Sequence, residues 1–276
     1  MSTIIGNKYE IIEKIGEGTF GKVFKGKNIR TQETIAIKIQ HKDIENVLKH
    51  EAKIYKYLKD ILCIPTIRNY GTESGFNYLI LDLLGPSLSN IEIKPRECIK
   101  YMIQAVNILK NIHDIGIINR DIKPDNFLLN NLNEHKIYII DFGLAKYYLS
   151  PNNSHIAERK DRKLIGTAKY SSLNMHNGIE PSRRDDIESL CYSFIQLYGI
   201  KLPWNDINTS ELNELNKEEL YNEIKKSKEN LLEWLLDGPI EFLAILLYCR
   251  KLNFNERPNY NYIISTLENL LSILIN

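Results

Sequence analysis

"INRDIKPDNFLLN", residues 118–130, packs Arg120, Asp121, Lys123, Asp125 and Asn126 between two apolar runs. Apolar residues are driven out of water, so charged groups held among them sit at the edge of that burial. One carboxylate, one lysine and one amide this close together suit a definite chemistry. Asp121 could take the proton of an attacking hydroxyl. Lys123 could neutralise charge on a transferred phosphoryl group, and Asn126 could hold a metal ion through its side-chain oxygen. Taken singly, each has a plainer reading as a turn aspartate or a capping asparagine, so the rest of the chain has to decide.

Downstream, "IYIIDFGLA" (137–145) is an Ile-rich strand that ends in Asp141-Phe142-Gly143. A carboxylate there could bind magnesium bridging ATP phosphates. Upstream, "IGEGTFGKV" (15–23) spaces Gly16, Gly18 and Gly21 as G-x-G-x-x-G, where glycine lets backbone approach a phosphate closely. That pattern alone is weak, because dinucleotide-binding folds use it before a helix. Here the strand-like "KVFKGK" follows, which is the setting of a nucleotide-covering hairpin. "IAIKI" then places Lys38 in an apolar strand, where burial is costly without a partner. Glu51 follows on a predicted helix, and a Lys38–Glu51 ion pair would hold the lysine toward ATP phosphates.

The totals agree with a soluble globular protein of one large or two small domains. The chain has 276 residues, 26% charged and 43% hydrophobic, with a formal net charge of +1. So balanced a charge argues against bulk binding to nucleic acid or membrane. Cys63, Cys98, Cys191 and Cys249 are scattered, with no Cys-x-x-Cys pair and no zinc spacing, and read as reduced thiols. No signal-peptide pattern opens the chain. No apolar run approaches the ~18 residues of a membrane span. A cytoplasmic location is expected, with nuclear entry also open.

The first third reads as strands, "YEIIEKIGEG", "GKVFKGKNI", "ETIAIKIQ", "RNYGTE" and "FNYLILDLL", with one helix in "IENVLKHEAKIYKYLK". That helix sets Val47, Leu48, Ile54, Tyr55 and Leu58 near helical spacing. Past Gly85-Pro86 the period changes. Ile99, Met102, Ile103, Val106 and Leu109 mark one helical face, and Ile187, Leu190, Cys191, Phe194 and Tyr198 mark another. "IEFLAILLYCRKL" and "YNYIISTLENLLSILI" are further helices. The Asn- and Lys-rich stretch 205–230 reads as a surface insert. The expected fold is α+β and bilobal, an antiparallel sheet with one helix over 1–84 and a larger, mostly helical part over 85–276.

Glycine loop, Lys38, Glu51, "RDIKPDN" and "DFG" follow one another in the order of the protein-kinase fold, and the resemblance covers nearly the whole chain. Most kinases carry Ala-Pro-Glu after the activation segment, whereas this chain has "SSLN" (171–174) followed by "GIEPSRRDD". With "LDLLGPSL", "LPW" and "YCRKLNFNERPNY", these stretches resemble the casein kinase 1 family of serine/threonine kinases.

The resemblance implies roles residue by residue. ATP would be covered by Gly16, Gly18 and Gly21. Its adenine would meet Ile15, Val23, Ala36, Leu81 (the gatekeeper), Leu128 and Ile140, with the backbone of Asp82 and Leu84. Lys38, paired with Glu51, would contact phosphates. Asp121 would be the catalytic base with Lys123 beside the phosphoryl group. Asn126 and Asp141 would hold Mg2+, and Asp186 would brace the catalytic loop. Arg120, Lys146 and Lys163 match a basic anion site, which goes with protein substrates bearing acidic or phosphorylated residues near the target. The family further implies constitutive activity in a monomer. It often adds an inhibitory C-terminal tail, and no such inhibition is expected of a chain that stops after its last helix.

Three departures bear on this. Asn119 stands where most kinases have His, a residue that supports the loop and transfers no proton; Asn can also donate and accept. Lys169 replaces an arginine and loses its bidentate fork. Ile200 and Asn208 stand where the family has a glycine and a lysine, so the second anion site is weaker. Two other functions compete. A pseudokinase acting as a binding module would be expected to lose Lys38, Asp121, Asn126 or Asp141, and none is lost. A small-molecule kinase fits poorly with "GIEPSRRDD".

Overall fold

The computed structural model describes residues 3–18, 21–42, 47–131, 134–205, 214–235 and 238–274. The chain divides into two compact units, Met1–Pro86 with Leu128–Ala145, and Ser87–Phe127 with Lys146–Asn276.

In the first unit, β1 (Ile4–Ile5), β2 (Tyr9–Gly18), β3 (Gly21–Asn28), β4 (Thr34–His41), β5 (Ile67–Glu73) and β6 (Phe76–Asp82) form one antiparallel sheet. Its strand order is β1-β2-β3-β4-β6-β5. Alternation decides what each face carries. Ile35 and Ile37 of β4 are buried with Tyr9, Tyr78 and Ile80 on one face, and each such side chain contributes about 1.5–3 kcal/mol by leaving water. Ala36 and Lys38 therefore turn to the other face. The register sets Val23 opposite Lys38 and Ala36 opposite Leu81, so these four share a surface.

The glycine-rich stretch forms the β2–β3 hairpin, with Gly18 opposite Gly21. Gly21 has φ +144°, and a Cβ on it would stand 2.3 Å from the Ile39 carbonyl oxygen. Thr19 and Phe20 lie outside the described residues. Helix α1 (Val47–Tyr57) buries Leu48, Glu51, Ala52, Ile54 and Tyr55. The carboxylate inside this face is the feature that apolar spacing does not register. Two further strands, β8 (Phe127–Asn131) and β9 (Glu134–Ile139), pair with each other.

The second unit is mostly helical. Helix α2 (Pro95–Asp114) buries Ile99, Met102, Val106 and Leu109 and half-buries Ile103. The two-residue strands β7 (Ile117–Ile118) and β10 (Lys146–Tyr147) pair. After the single turn α3 (Leu173–His176) comes α4 (Arg183–Leu197), then α5 (Glu214–Glu229), α6 (Leu231–Leu235), α7 (Ile240–Lys251) and α8 (Tyr260–Ile273).

Two expectations change. The sequence suggested one apolar face for α4, but the helix is buried on every side from Arg183 to Ile195. It sits among α2, α3 and α7, and its carboxylates are satisfied internally. Asp185 accepts from the Ser182 amide (2.7 Å), the Ser172 hydroxyl (2.6 Å) and Asn174 Nδ2 (3.0 Å). Glu188 accepts from the Leu173 amide (3.1 Å), the Tyr192 hydroxyl (2.7 Å) and Arg250 Nε (3.3 Å). The "SSLN" segment is thereby tied to α4 by two carboxylates. The second change concerns 205–230. Within it, α5 buries Leu220, Ile224 and Lys228, a four-residue spacing hidden among Asn, Lys and Glu. Asn208 lies outside the described residues.

Cys98, Cys191 and Cys249 are buried free thiols and Cys63 is half-buried. Among the described residues no helix is long and apolar enough to cross a membrane.

His176, on α3, has its Nε2 3.0 Å from the Ala168 carbonyl oxygen and 3.1 Å from Lys228 Nζ, with the Tyr221 ring at 6.3 Å. Burial, then the neighbouring Lys228 charge, pushes the imidazole down to about 3, with Lys225 adding to the repulsion. The unfolded chain therefore binds a proton here that the folded chain refuses. Stability present above about pH 6.5 is lost as pH falls toward the folded value. Urea denaturation at pH 7.5 and 4.5 should show this residue removing about 2.5 kcal/mol over that interval. His176→Gln should lose correspondingly less on acidification; equal losses would mean that the folded imidazole takes up its proton as readily as the unfolded one.

Candidate active site

In the sheet unit, Lys38 leaves β4 on the face opposite the isoleucine core. Its Nζ meets Glu51 Oε2 at 2.8 Å and Asp141 Oδ1 at 3.1 Å. Burial works against the lysine's charge, yet the two carboxylates outweigh it and hold the ammonium above its ordinary value. Burial pushes the Glu51 carboxyl up to about 7, with Lys38 opposing. Helix α1 adds two contacts that sequence spacing does not give. The Tyr55 hydroxyl accepts from the Asp141 amide (3.2 Å), and His50 Nε2 lies 2.7 Å from the Ala145 carbonyl oxygen. Tyr55 also packs edge-on against Phe142, with centroids 5.1 Å apart. Tyr55 thus fixes the Asp-Phe-Gly segment, and His50 holds the chain two residues beyond it. Asp141 itself has φ +63°, a left-handed conformation that Asp and Asn tolerate better than most residues.

The residues expected around a nucleotide base all fall in this unit. Val23, Ala36 and Leu81 lie on the Lys38 face, and Leu81 is buried. Ile15 is exposed on β2, while Leu128 and Ile140 are half-buried. The Asp82 side chain is engaged elsewhere, by the Thr66 amide (2.9 Å) and Arg68 Nε (2.7 Å); for Asp82 and Leu84 it is the backbone that the sequence reading invoked.

In the helical unit, Asp121 Oδ1 accepts from the Thr167 amide (2.9 Å) and the Thr167 hydroxyl (2.8 Å). Its Oδ2 accepts from Lys123 Nζ at 2.8 Å, and Lys123 also reaches the Thr167 hydroxyl at 3.2 Å. Asn126 is buried, and its Nδ2 donates to the Asp121 carbonyl oxygen at 2.9 Å. The amide nitrogen being so used, the side-chain oxygen is the atom suited to a cation. Gly166 allows this approach, since a Cβ there would meet the Arg120 carbonyl oxygen at 2.5 Å and Asp121 Oδ1 at 3.1 Å. Sequence reading gave neither Thr167 nor Gly166 a part in the site. The sole available signal was "IGT" inside a polar segment.

Asn119 keeps the loop that carries Asp121 in place. Its side chain is fully buried, its Oδ1 accepts from the Asp121 amide (3.0 Å), and its own amide donates to Asp186 Oδ2 (2.7 Å). Asp186 Oδ1 accepts from the Arg120 amide at 2.8 Å, and Oδ2 lies 3.0 Å from His113 Nε2. The brace expected of Asp186 is therefore in place, with His113 as an added member.

Of the basic trio, Lys146 Nζ meets buried Glu180 Oε1 at 2.7 Å, and Arg162 Nε stands 3.4 Å from Oε2. Burial lowers the pKa of Arg120 from its ordinary value, opposed by attraction to Glu180 and Asp186. Two of the three cations thus surround an internal carboxylate, joined by Arg162, which the sequence reading did not include. Lys163 is exposed.

The donor set can be tested against a divalent cation. Each unit offers one hard oxygen ligand of the kind magnesium takes alongside phosphates, the Asp141 carboxylate in the sheet unit and the Asn126 amide oxygen in the helical unit. No group of three or more His, Cys, Asp or Glu forms a metal cage among the described residues, and a metal carried largely by nucleotide phosphates needs none. Against known families, residues 9–267 match the family model of the protein kinase domain.

Proposed function

We propose that this chain, which belongs to the protein kinase domain family, is a serine/threonine kinase of the casein kinase 1 type. It moves the γ-phosphoryl group of ATP to Ser or Thr hydroxyls that lie near acidic or phosphorylated residues of a protein. The observation that carries this reading is the placement of Asp121, held through Oδ1 by Thr167 and through Oδ2 by Lys123.

The acceptor hydroxyl presents its proton to Asp121 while its oxygen attacks the γ-phosphorus. The bond from that phosphorus to the ADP oxygen breaks as the new one forms, and Lys123 offsets charge on the phosphoryl oxygens. Lys38, fixed by Glu51, holds the nucleotide phosphates, and the apolar surface at Val23, Ala36 and Leu81 receives the base. Magnesium held by Asp141 and Asn126 would supply charge neutralisation for the phosphates. Alignment and electrostatics account for most of the acceleration in such enzymes, which turn over at ~1–100 per second. Constitutive activity fits a segment whose anchors, Asp121, Asp185 and Glu188, are all carboxylates already present in the chain.

Exposed Lys163 carries the preference for negatively charged substrates. Lys169 adds less, its ammonium lying 5.4 Å from the Tyr170 ring. The test is transfer from labelled ATP to casein and to matched acidic serine peptides, with and without a priming phosphate. Label should appear on serine and favour the primed peptide. Lys163→Ala should lower kcat/KM for the primed peptide about tenfold, the loss of one charge-assisted contact, and spare the unprimed one. Equal losses on both would remove Lys163 from substrate recognition. ATP binding without transfer would make the protein a binding module instead.

A further inference from the structure

Helix α5 delivers a lysine to the interior. Lys228 is fully buried, and among the described residues no carboxylate lies within ion-pair distance of it. Its Nζ donates to the carbonyl oxygens of Ala168 (2.9 Å) and Ser171 (2.6 Å), and lies 3.1 Å from His176 Nε2. The rings of Tyr192 and Trp204 face it at 4.9 and 5.1 Å. Burial pulls its pKa well below the ordinary lysine value, with the Glu188 charge opposing. An apolar side chain would fill the same space without this desolvation. The lysine is thus explained by what it holds rather than by packing.

It holds the stretch that follows Thr167. Trp204 Nε1 donates to the Lys169 carbonyl oxygen at 2.8 Å, so the carbonyls of Ala168, Lys169 and Ser171 are all fixed by side-chain donors. At the head of the stretch, the Thr167 carbonyl takes the amides of Tyr170 (2.9 Å) and Ser171 (3.0 Å). The Thr167 amide and hydroxyl bind Asp121 Oδ1. An unbroken run of hydrogen bonds leads from Lys228 to the catalytic carboxylate.

We propose that Lys228 is a positioning residue for the protein substrate: by fixing residues 168–171 next to Thr167 and Asp121, it makes them the platform on which the chain bearing the acceptor hydroxyl docks. This rests on the kinase reading above. Lys38 and Asp141, which serve the nucleotide, are not among the groups Lys228 contacts.

The experiment is steady-state kinetics of the full chain and its Lys228→Met variant, varying an acidic serine peptide and ATP separately. The peptide KM should rise about tenfold, as expected when two buried carbonyl acceptors lose their donor. The ATP KM should stay within about twofold, and peptide-independent ATP hydrolysis should persist. A merely structural lysine would lower the melting temperature and leave the peptide KM alone. That result, or a parallel rise in both KM values, overturns the assignment. Should Lys228→Met fail to fold, Trp204→Phe decides the matter. It keeps an aromatic ring on Tyr192 but deletes the donor to the Lys169 carbonyl along with part of the indole, so the peptide KM should rise about threefold while the ATP KM holds, and an unchanged peptide KM overturns the proposal. Absence of transfer by the unmodified protein sinks the kinase reading and this one with it. Transfer with unaltered variant KM values sinks this one alone.

Discussion

Asp141→Asn is expected to leave the chain folded and to reduce phosphate transfer by about a thousandfold or more, the scale seen when a transition-state charge loses a preorganised partner. The substitution isolates charge from shape. Asparagine has the size of aspartate and accepts the left-handed backbone at φ +63°, and its side-chain oxygen can still take the Gly143 amide, which stands 3.3 Å away. What disappears is the negative charge that faces Lys38 at 3.1 Å and would meet the metal. Lys38 retains Glu51 at 2.8 Å, so nucleotide should still bind while turnover falls. Initial rates with labelled ATP and an acidic peptide give the comparison, beside a melting curve for each protein. A variant with more than about a tenth of the original rate would remove Asp141 from the metal site and leave the transition-state charge to other groups.

The parts of the fold written as local period were legible in the sequence. The two-residue alternation of "TIAIKIQ" reveals both the strand and the face that Lys38 takes, and Glu51 on the next helix supplies its pair. The candidate catalytic cluster was legible as a cluster because Asp121, Lys123 and Asn126 lie within six positions of one another, and Lys123 and Asn126 both reach Asp121 through the turn they share. Partners made by tertiary packing were not legible. Thr167 meets Asp121 across 46 positions and His113 meets Asp186 across 73, and neither pair leaves a periodic trace. Helix α4 was misjudged for a related reason. Its charges are buried because Asp185, Asp186 and Glu188 serve amides and hydroxyls from distant segments, and a single-face pattern cannot record that. Lys228 is the same case reversed, a lysine among surface-type residues whose acceptors lie 57 and 60 positions away.

Asp186→Ala should be the most damaging change in the helical unit, and its effect should begin in the backbone. One buried carboxylate accepts from the amides of Asn119 (2.7 Å) and Arg120 (2.8 Å) and faces His113 Nε2 at 3.0 Å. Removing it leaves three buried polar groups short of a partner, at about 1–3 kcal/mol each before relaxation. A net destabilisation of about 3–5 kcal/mol follows. The loop is also strained where it is held, since Arg120 has φ +71°, a conformation costing roughly 1 kcal/mol or more that persists only while its surroundings enforce it. Released, residues 119–121 relax, and Asp121 loses the alignment that Asn119 Oδ1 gives its amide. Transfer should therefore fall by at least about a hundredfold even in the molecules that remain folded. Asp186→Asn, which keeps one acceptor oxygen, should fall between this variant and the parent in both respects. Urea denaturation reads the stability and peptide phosphorylation the rate. Hydrogen exchange at the Asn119 and Arg120 amides reads the cause directly, since both should lose protection before the neighbouring helices do. Protected amides in a variant of normal stability would mean that the loop is held by the Asn119 side chain alone, and the bracing carboxylate would then have no part in catalysis.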